Sequence, residues 1–186
     1  MTQAIPTDEA LIEQARNGEQ AAFKALVLRH EQQVRATVLG MMGAVTEAED
    51  VAQEVFIRFY RALSKFRGEA QLSTYLSRIA INLSLTALKK RQKRQLRVAA
   101  IDGKWQDLPL EDKASHPDRQ DNRQLVQRAL EMLDPDFRAV VVLRLMQGYS
   151  TKETAEMLNI PMGTVGSRLS RAQVQLKEIL EKWETI

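Results

Sequence analysis

The chain contains no cysteine, which rules out disulfides, thiol nucleophiles and cysteine-held zinc. Its two histidines, His30 and His116, have no neighbouring ligands at metal spacing. His30 reads as a helix-face residue and His116 as part of a connecting segment. Aromatic residues make up only 5% of the chain, and the longest strongly apolar run, AVVVL at 139–143, is far too short to cross a bilayer. The opening MTQAIPTDEA is acidic and not apolar, so a secretory signal is not expected and a cytoplasmic protein is. Nor is there a glycine-rich phosphate loop or a nucleophile beside a base. Asp50 and Glu54 stand one turn apart, but such pairs are usually solvated. No catalysis, no cofactor and no metal are expected.

What is present is charge, unevenly placed. Residues 1–97 hold 15 Lys/Arg against 10 Asp/Glu, residues 98–120 hold 3 against 5, and residues 121–186 hold 9 of each. Much of the positive excess lies in KKRQKRQLR at 89–97, which has six cations and no acid. A local excess of this kind points to a polyanionic partner, although a solvated helix end would show the same run.

Helical periodicity dominates throughout, and no alternating strand pattern is convincing. Helices are expected near 8–17 and 19–42, the first stopping at Asn17-Gly18. Between 46 and 66 the apolar stripe is Ala48, Val51, Ala52, Val55, Phe59, Ala62, Leu63 and Phe66. Between 73 and 97 it is Leu76, Ile79, Ala80, Leu83, Ala87 and Leu88. Residues 98–121, with two prolines, one glycine and an acidic bias, read as a flexible linker. Trp105 within it is either an anchor or a loosely exposed side chain.

A second helical domain is expected over 122–186. Leu125, Ala129, Met132 and Leu133 form its first stripe, before a stop and restart at Asp134-Pro135. Ala139, Val142, Leu143 and Met146 form the next. A helix over 151–158 is followed by a turn at 159–163, with Thr164 as the N-cap of a last helix. Val165, Leu169, Ala172, Leu176 and Ile179 are its buried stripe, while Ser167, Arg168, Ser170 and Arg171 face outward. No acid occurs between Pro161 and Lys177. Short side chains permit close approach to a DNA groove, and arginine reaches guanine edges or phosphate. A helix-turn-helix is therefore expected over an ordinary charged hairpin.

With these motifs in hand, the chain resembles the extracytoplasmic-function sigma factors, small bacterial RNA polymerase specificity subunits of the sigma-70 family. The likeness rests on AEDVAQEVFIRFYRALSKF and LSTYLSRIAINLSLTALKKR in the first half. In the second it rests on LDPDFRAVVVLRLMQGYSTKETAEMLNIPMGTVGSRLSRAQVQL. It implies an all-α fold in two small domains: a sigma-2-like domain over 1–97 and a sigma-4-like helix-turn-helix domain over 122–186, joined by the linker 98–121.

The resemblance also implies partners and contact residues. Asp50, Gln53, Glu54 and Ile57 would grip the clamp helices of the polymerase's largest subunit, and the polymerase's beta flap would be a further contact. Tyr75, Arg78, Asn82, Thr86, Lys89, Lys90, Arg91, Lys93 and Arg94 would take the melted minus-ten strand, with bases on aromatics and amides and the backbone on cations. The loop FRGEAQLS at 66–73 would form a pocket for a flipped-out base. Thr164, Ser167, Arg168, Ser170 and Arg171 would read the minus-thirty-five duplex. The linker would run near the RNA exit path, and an anti-sigma factor would hold the protein inactive.

Three positions depart from the family pattern: Tyr75 stands where Trp is common, Leu72 where Phe is, and Gly166 where Lys or Arg is. The competing reading is a regulator that binds duplex operators without polymerase. Its usual partner domain is α/β with an acidic phosphorylation pocket, whereas this first half is helical and basic. A structural adaptor without effect on transcription is the remaining alternative.

Overall fold

The computed structural model describes residues 6–68, 70–101 and 122–184. Trp105, His116 and nearly all of the segment read as a linker lie outside them. Among the described residues every regular element is helical.

Thr7 accepts a hydrogen bond from the Ala10 amide and starts α1, Asp8–Arg16, which closes at Asn17 with Gly18 at φ 94°. Helix α2, Gln20–Met42, supplies the long central surface against which α1, α3 (Thr46–Ala62) and α4 (Leu72–Ile101) pack. Phe59, Leu26, Met41, Leu76, Ile81, Val34, Val38 and Val55 are fully buried between them. The stripe expected for 46–66 is therefore real, but the α-helix stops at Ala62 and a 3-10 turn, Leu63–Lys65, carries the chain away. Helix α4 begins at Leu72 and continues to Ile101, beyond the expected end at 97.

In the second unit, Asp134 caps α6 (Pro135–Val141) after α5 (Asn122–Met132), as its Asp-Pro pair foretold. A π turn over Val142–Met146 and Gly148 at φ 75° redirect the chain. Ser150 and Glu153 then form a reciprocal capping box on α7, Thr151–Leu158. Asn159 takes the left-handed conformation, and α8 runs from Met162 to Glu184. Thr164 is not its N-cap: the Pro161 carbonyl accepts from the amides of Thr164 (2.9 Å) and Val165 (3.2 Å), so helical winding starts earlier. Met132 and Met146, expected in buried stripes, are exposed, and Leu130 is buried instead.

The two units share one core. Ala139, Val142, Leu143, Tyr149 and Met157 join the cluster formed by α1–α4, while Val140, Val141, Val165 and Ala172 seal the second unit itself. Gly40 lets the π turn press onto α2: a Cβ there would lie 3.1 Å from a Val142 methyl carbon. Gln127 donates to the Leu39 carbonyl (2.8 Å), and Arg138 donates to the Met41, Glu131 and Leu133 carbonyls. These cap the carbonyl-rich ends of α2 and α5, where donors and positive charge are favoured.

Candidate nucleic-acid interface

Helix α4 buries Leu76, Ala80, Ile81 and Leu83, which turns Arg78, Asn82, Thr86, Lys89, Lys90, Lys93 and Arg94 toward solvent along its other side. The Thr86 hydroxyl donates to the Asn82 backbone carbonyl at 2.8 Å. Arg91 is half-buried. Arg94 lies 3.6 Å from Glu47, a solvent-exposed pair of small worth. The cations thus form one continuous strip over the last turns, as their spacing suggests.

At the other end of that strip, Tyr75 is both packed and accessible. Its ring meets Phe66 edge-on at 4.9 Å and Phe59 at 6.1 Å. It also lines an open cleft of about 350 Å³ with Lys65, Phe66, Arg67, Gly68 and Arg78. An aromatic floor with a rim of three cations suits a base and its flanking phosphates. Arg67 belongs to the loop 66–73 expected to form a pocket, whereas Lys65, just before it, was not singled out from sequence; its place beside the Phe-Arg-Gly turn is the signal that would have found it. Leu72, one of the departures, is buried in the core and contributes no surface to the cleft.

On α3, Asp50, Gln53 and Ile57 are exposed, the last at 44%, and Glu54 is half-exposed and paired with Arg58 at 3.0 Å. Tyr60 extends this face at 58% exposure and stacks edge-on against Phe23 at 4.9 Å. This surface is distinct from the α4 strip.

At the front of α8, Ser167, Ser170 and Arg171 are exposed and Thr164 is half-exposed. The Ser167 hydroxyl donates to the Thr164 carbonyl at 3.1 Å. Gly166 borders open space, so packing within the chain does not require glycine there. Arg168 differs from its neighbours: it pairs with Asp136 of α6 at 2.8 Å, and its side chain is 24% exposed. At about 100° per residue it lies only some 60° from buried Val165, whereas Arg171 lies about 120° away. The four outward residues named from sequence are therefore not equivalent.

Among the described residues no cluster of His, Asp and Glu suits a metal ion, and no helix is long and apolar enough to cross a membrane.

Residues 26–94 match the family Sigma-70 region 2, and residues 123–176 match Sigma-70, region 4. The chain is 35% identical to the RNA polymerase sigma-H factor of Pseudomonas aeruginosa over 94% of each chain. It is also 35% identical to the ECF RNA polymerase sigma-E factor of Escherichia coli, over 90% of this chain and 91% of that one. Among solved structures it resembles the sigma factor RpoE of Bartonella quintana in complex with the anti-sigma factor NepR. The TM-score is 0.69 at 27% identity, covering 86% of this chain and 96% of that one. It also resembles CnrH in complex with the cytosolic domain of CnrY, with a TM-score of 0.67 at 26% identity, covering 94% and 97%.

Proposed function

The chain belongs to the extracytoplasmic-function sigma factors of the sigma-70 family, and from that membership we propose how its surfaces divide the work of starting transcription. Sigma factors are DNA-binding initiation factors that direct RNA polymerase to promoters. Here the first unit, over 1–97, docks on core polymerase and captures the minus-ten strand. The second unit, over 122–186, reads the minus-thirty-five duplex, and the segment 98–121 links them.

Asp50, Gln53, Glu54 and Ile57 form the docking face for the clamp helices of the largest subunit. Acid and amide groups around one apolar side chain complement a helical partner bearing basic residues. The beta flap meets the second unit. Tyr75, Arg78, Asn82 and Thr86 face unstacked bases, and Lys89, Lys90, Arg91 and Lys93 follow the phosphates. The cleft beside Tyr75 takes a flipped base, whose extrusion costs a few kcal/mol that contacts in the cleft offset. Thr164, Ser167, Ser170 and Arg171 approach the duplex, with Arg168 at the edge of that face. The protein carries out no reaction of its own and works in the cytoplasm with the polymerase. An anti-sigma factor is its regulator, supported by the two structural relatives that are complexed with such partners or with a cytosolic domain.

The observation that carries this reading is the continuity of one surface on α4, from an aromatic cleft with a cationic rim to a strip of lysines and arginines. Run-off transcription with purified core polymerase on pooled promoter fragments tests it. Specific transcripts that require the protein support the reading, and their start sites locate both promoter elements. Unchanged core activity, with the protein alone shifting duplex DNA, would replace it with an operator-binding regulator.

A further inference from the structure

The wall of the α4 cleft is held by a residue that stands outside the span matched to Sigma-70 region 2, which begins at residue 26. Arg16 is the last residue of α1. Its Nε donates to the Leu63 carbonyl at 3.0 Å, and a terminal nitrogen donates to the Phe66 carbonyl. The other terminal nitrogen pairs with Glu13 at 3.2 Å.

Leu63 and Phe66 bracket the 3-10 turn that ends α3. Carbonyls at a helix C-terminus lack intrahelical donors, and a cation is favoured there. A guanidinium presents several donors in one rigid plane, so it can fix two carbonyls relative to each other, as a single ammonium cannot. At Phe66 the backbone turns extended (ψ 116°), and Gly68 follows at φ 71°. The Phe66 main chain therefore sets where its ring stands against Phe59 (5.8 Å) and Tyr75 (4.9 Å). That ring and the backbone to Gly68 are one side of the cleft.

Helix α1 is itself a firm support. Leu11, Ile12 and Ala15 are buried. Asp8 at its other end reaches both Arg29 (2.7 Å) and His30 (2.8 Å) of α2. A fixed element thus transmits position, through one side chain, to the turn that carries Phe66. Arg16 does not line the cleft.

We propose that Arg16 is a positioning residue of the base-capturing cleft, holding the Phe66 backbone so that the Phe66–Tyr75 pair presents an open slot of fixed width to one unstacked nucleobase. The inference rests on reading the cleft as the base pocket.

The test uses reconstituted holoenzyme and single-stranded minus-ten oligonucleotides, intact or abasic at each position in turn. With the wild-type protein, one abasic position weakens binding by roughly 5- to 150-fold, the range of one base–aromatic stack. With Arg16→Gln the intact strand binds several-fold more weakly while that abasic strand is unaffected, so their ratio falls toward one. Arg16→Lys keeps the charge but holds one carbonyl at a time, and gives an intermediate ratio. Should Arg16→Gln weaken intact and abasic strands equally, or should both variants keep the wild-type ratio, Arg16 does not position the cleft. A wild-type holoenzyme indifferent to every abasic position would overturn the base-pocket reading itself, and this inference with it.

Discussion

The hydroxyl of Tyr149, in the turn before α7, lies 2.9 Å from the hydroxyl of Ser77 in the second turn of α4. It is also 3.2 Å from the Ser73 carbonyl and receives a hydrogen bond from the Gln33 side chain at 2.8 Å. One phenol of the second unit thus ties two helices of the first, inside a shared apolar core. Ser77 is completely buried and also accepts from the Gln33 side chain at 3.3 Å, so the phenol belongs to a small buried network that water does not reach.

Tyr149→Phe keeps the ring and deletes those bonds. A loss of about 1–3 kcal/mol in unfolding free energy is expected, the cost of removing hydrogen bonds from a buried polar network. Urea titration measures it. A midpoint equal to wild type would show that the phenol bonds contribute nothing net.

Gly40 permits the close approach of α2 to the π turn, with Val142 and Met146 side-chain atoms at 3.1 and 3.3 Å from a would-be Cβ. Gly40→Leu overpacks this junction and should destabilise the chain by about 1–3 kcal/mol. Small-angle scattering should show a larger radius of gyration as the units part. An unchanged radius with full stability would mean that the interface yields without cost.

Arg171 and Arg168 should separate in a salt titration of promoter binding by the holoenzyme. Arg171→Gln removes an exposed cation and should flatten the logarithmic slope by about one phosphate contact. Arg168→Gln removes a charge already paired with Asp136 and should leave the slope close to wild type. Equal flattening by both would place Arg168 on the DNA backbone.

Gly166→Lys adds a cation where the chain leaves open space. It should tighten promoter binding and steepen the same slope by about one unit. A slope that stays put would show that this position does not face phosphate.

The capping box gives a pH signature. The Ser150 hydroxyl and then the Ser150 amide hold Glu153 below its usual value of 4.5. A carboxyl lowered by folding stabilises fully above 4.5, and that stabilisation fades as pH falls through the lower folded value. Wild type should therefore lead Glu153→Gln in urea midpoint at neutral pH and lose the lead in acid. Parallel pH profiles for the two proteins would contradict the ion's role in the cap.

Local spacing determined much of this protein. The stripes of α3 and α4, the Asp134-Pro135 restart, the stop at Asn17-Gly18 and the turn before α8 are written in short runs of sequence. Each depends on backbone propensity or on a 3.6-residue repeat, which neighbours in the chain suffice to define. The outward faces of α3, α4 and α8 follow from the same repeat, and so the candidate residues on them were legible.

Tertiary structure alone decided which of those residues are free and which are held. Arg168 meets Asp136 across 32 positions, Tyr149 meets Ser77 across 72, and Arg16 meets Phe66 across 50. It also decided that Ala139, Val142 and Leu143 turn toward the first unit, and that α8 starts before Thr164. A hydrogen bond or ion pair needs a second group at a particular distance and angle. Residues far apart in the chain acquire that geometry only when the helices between them have packed.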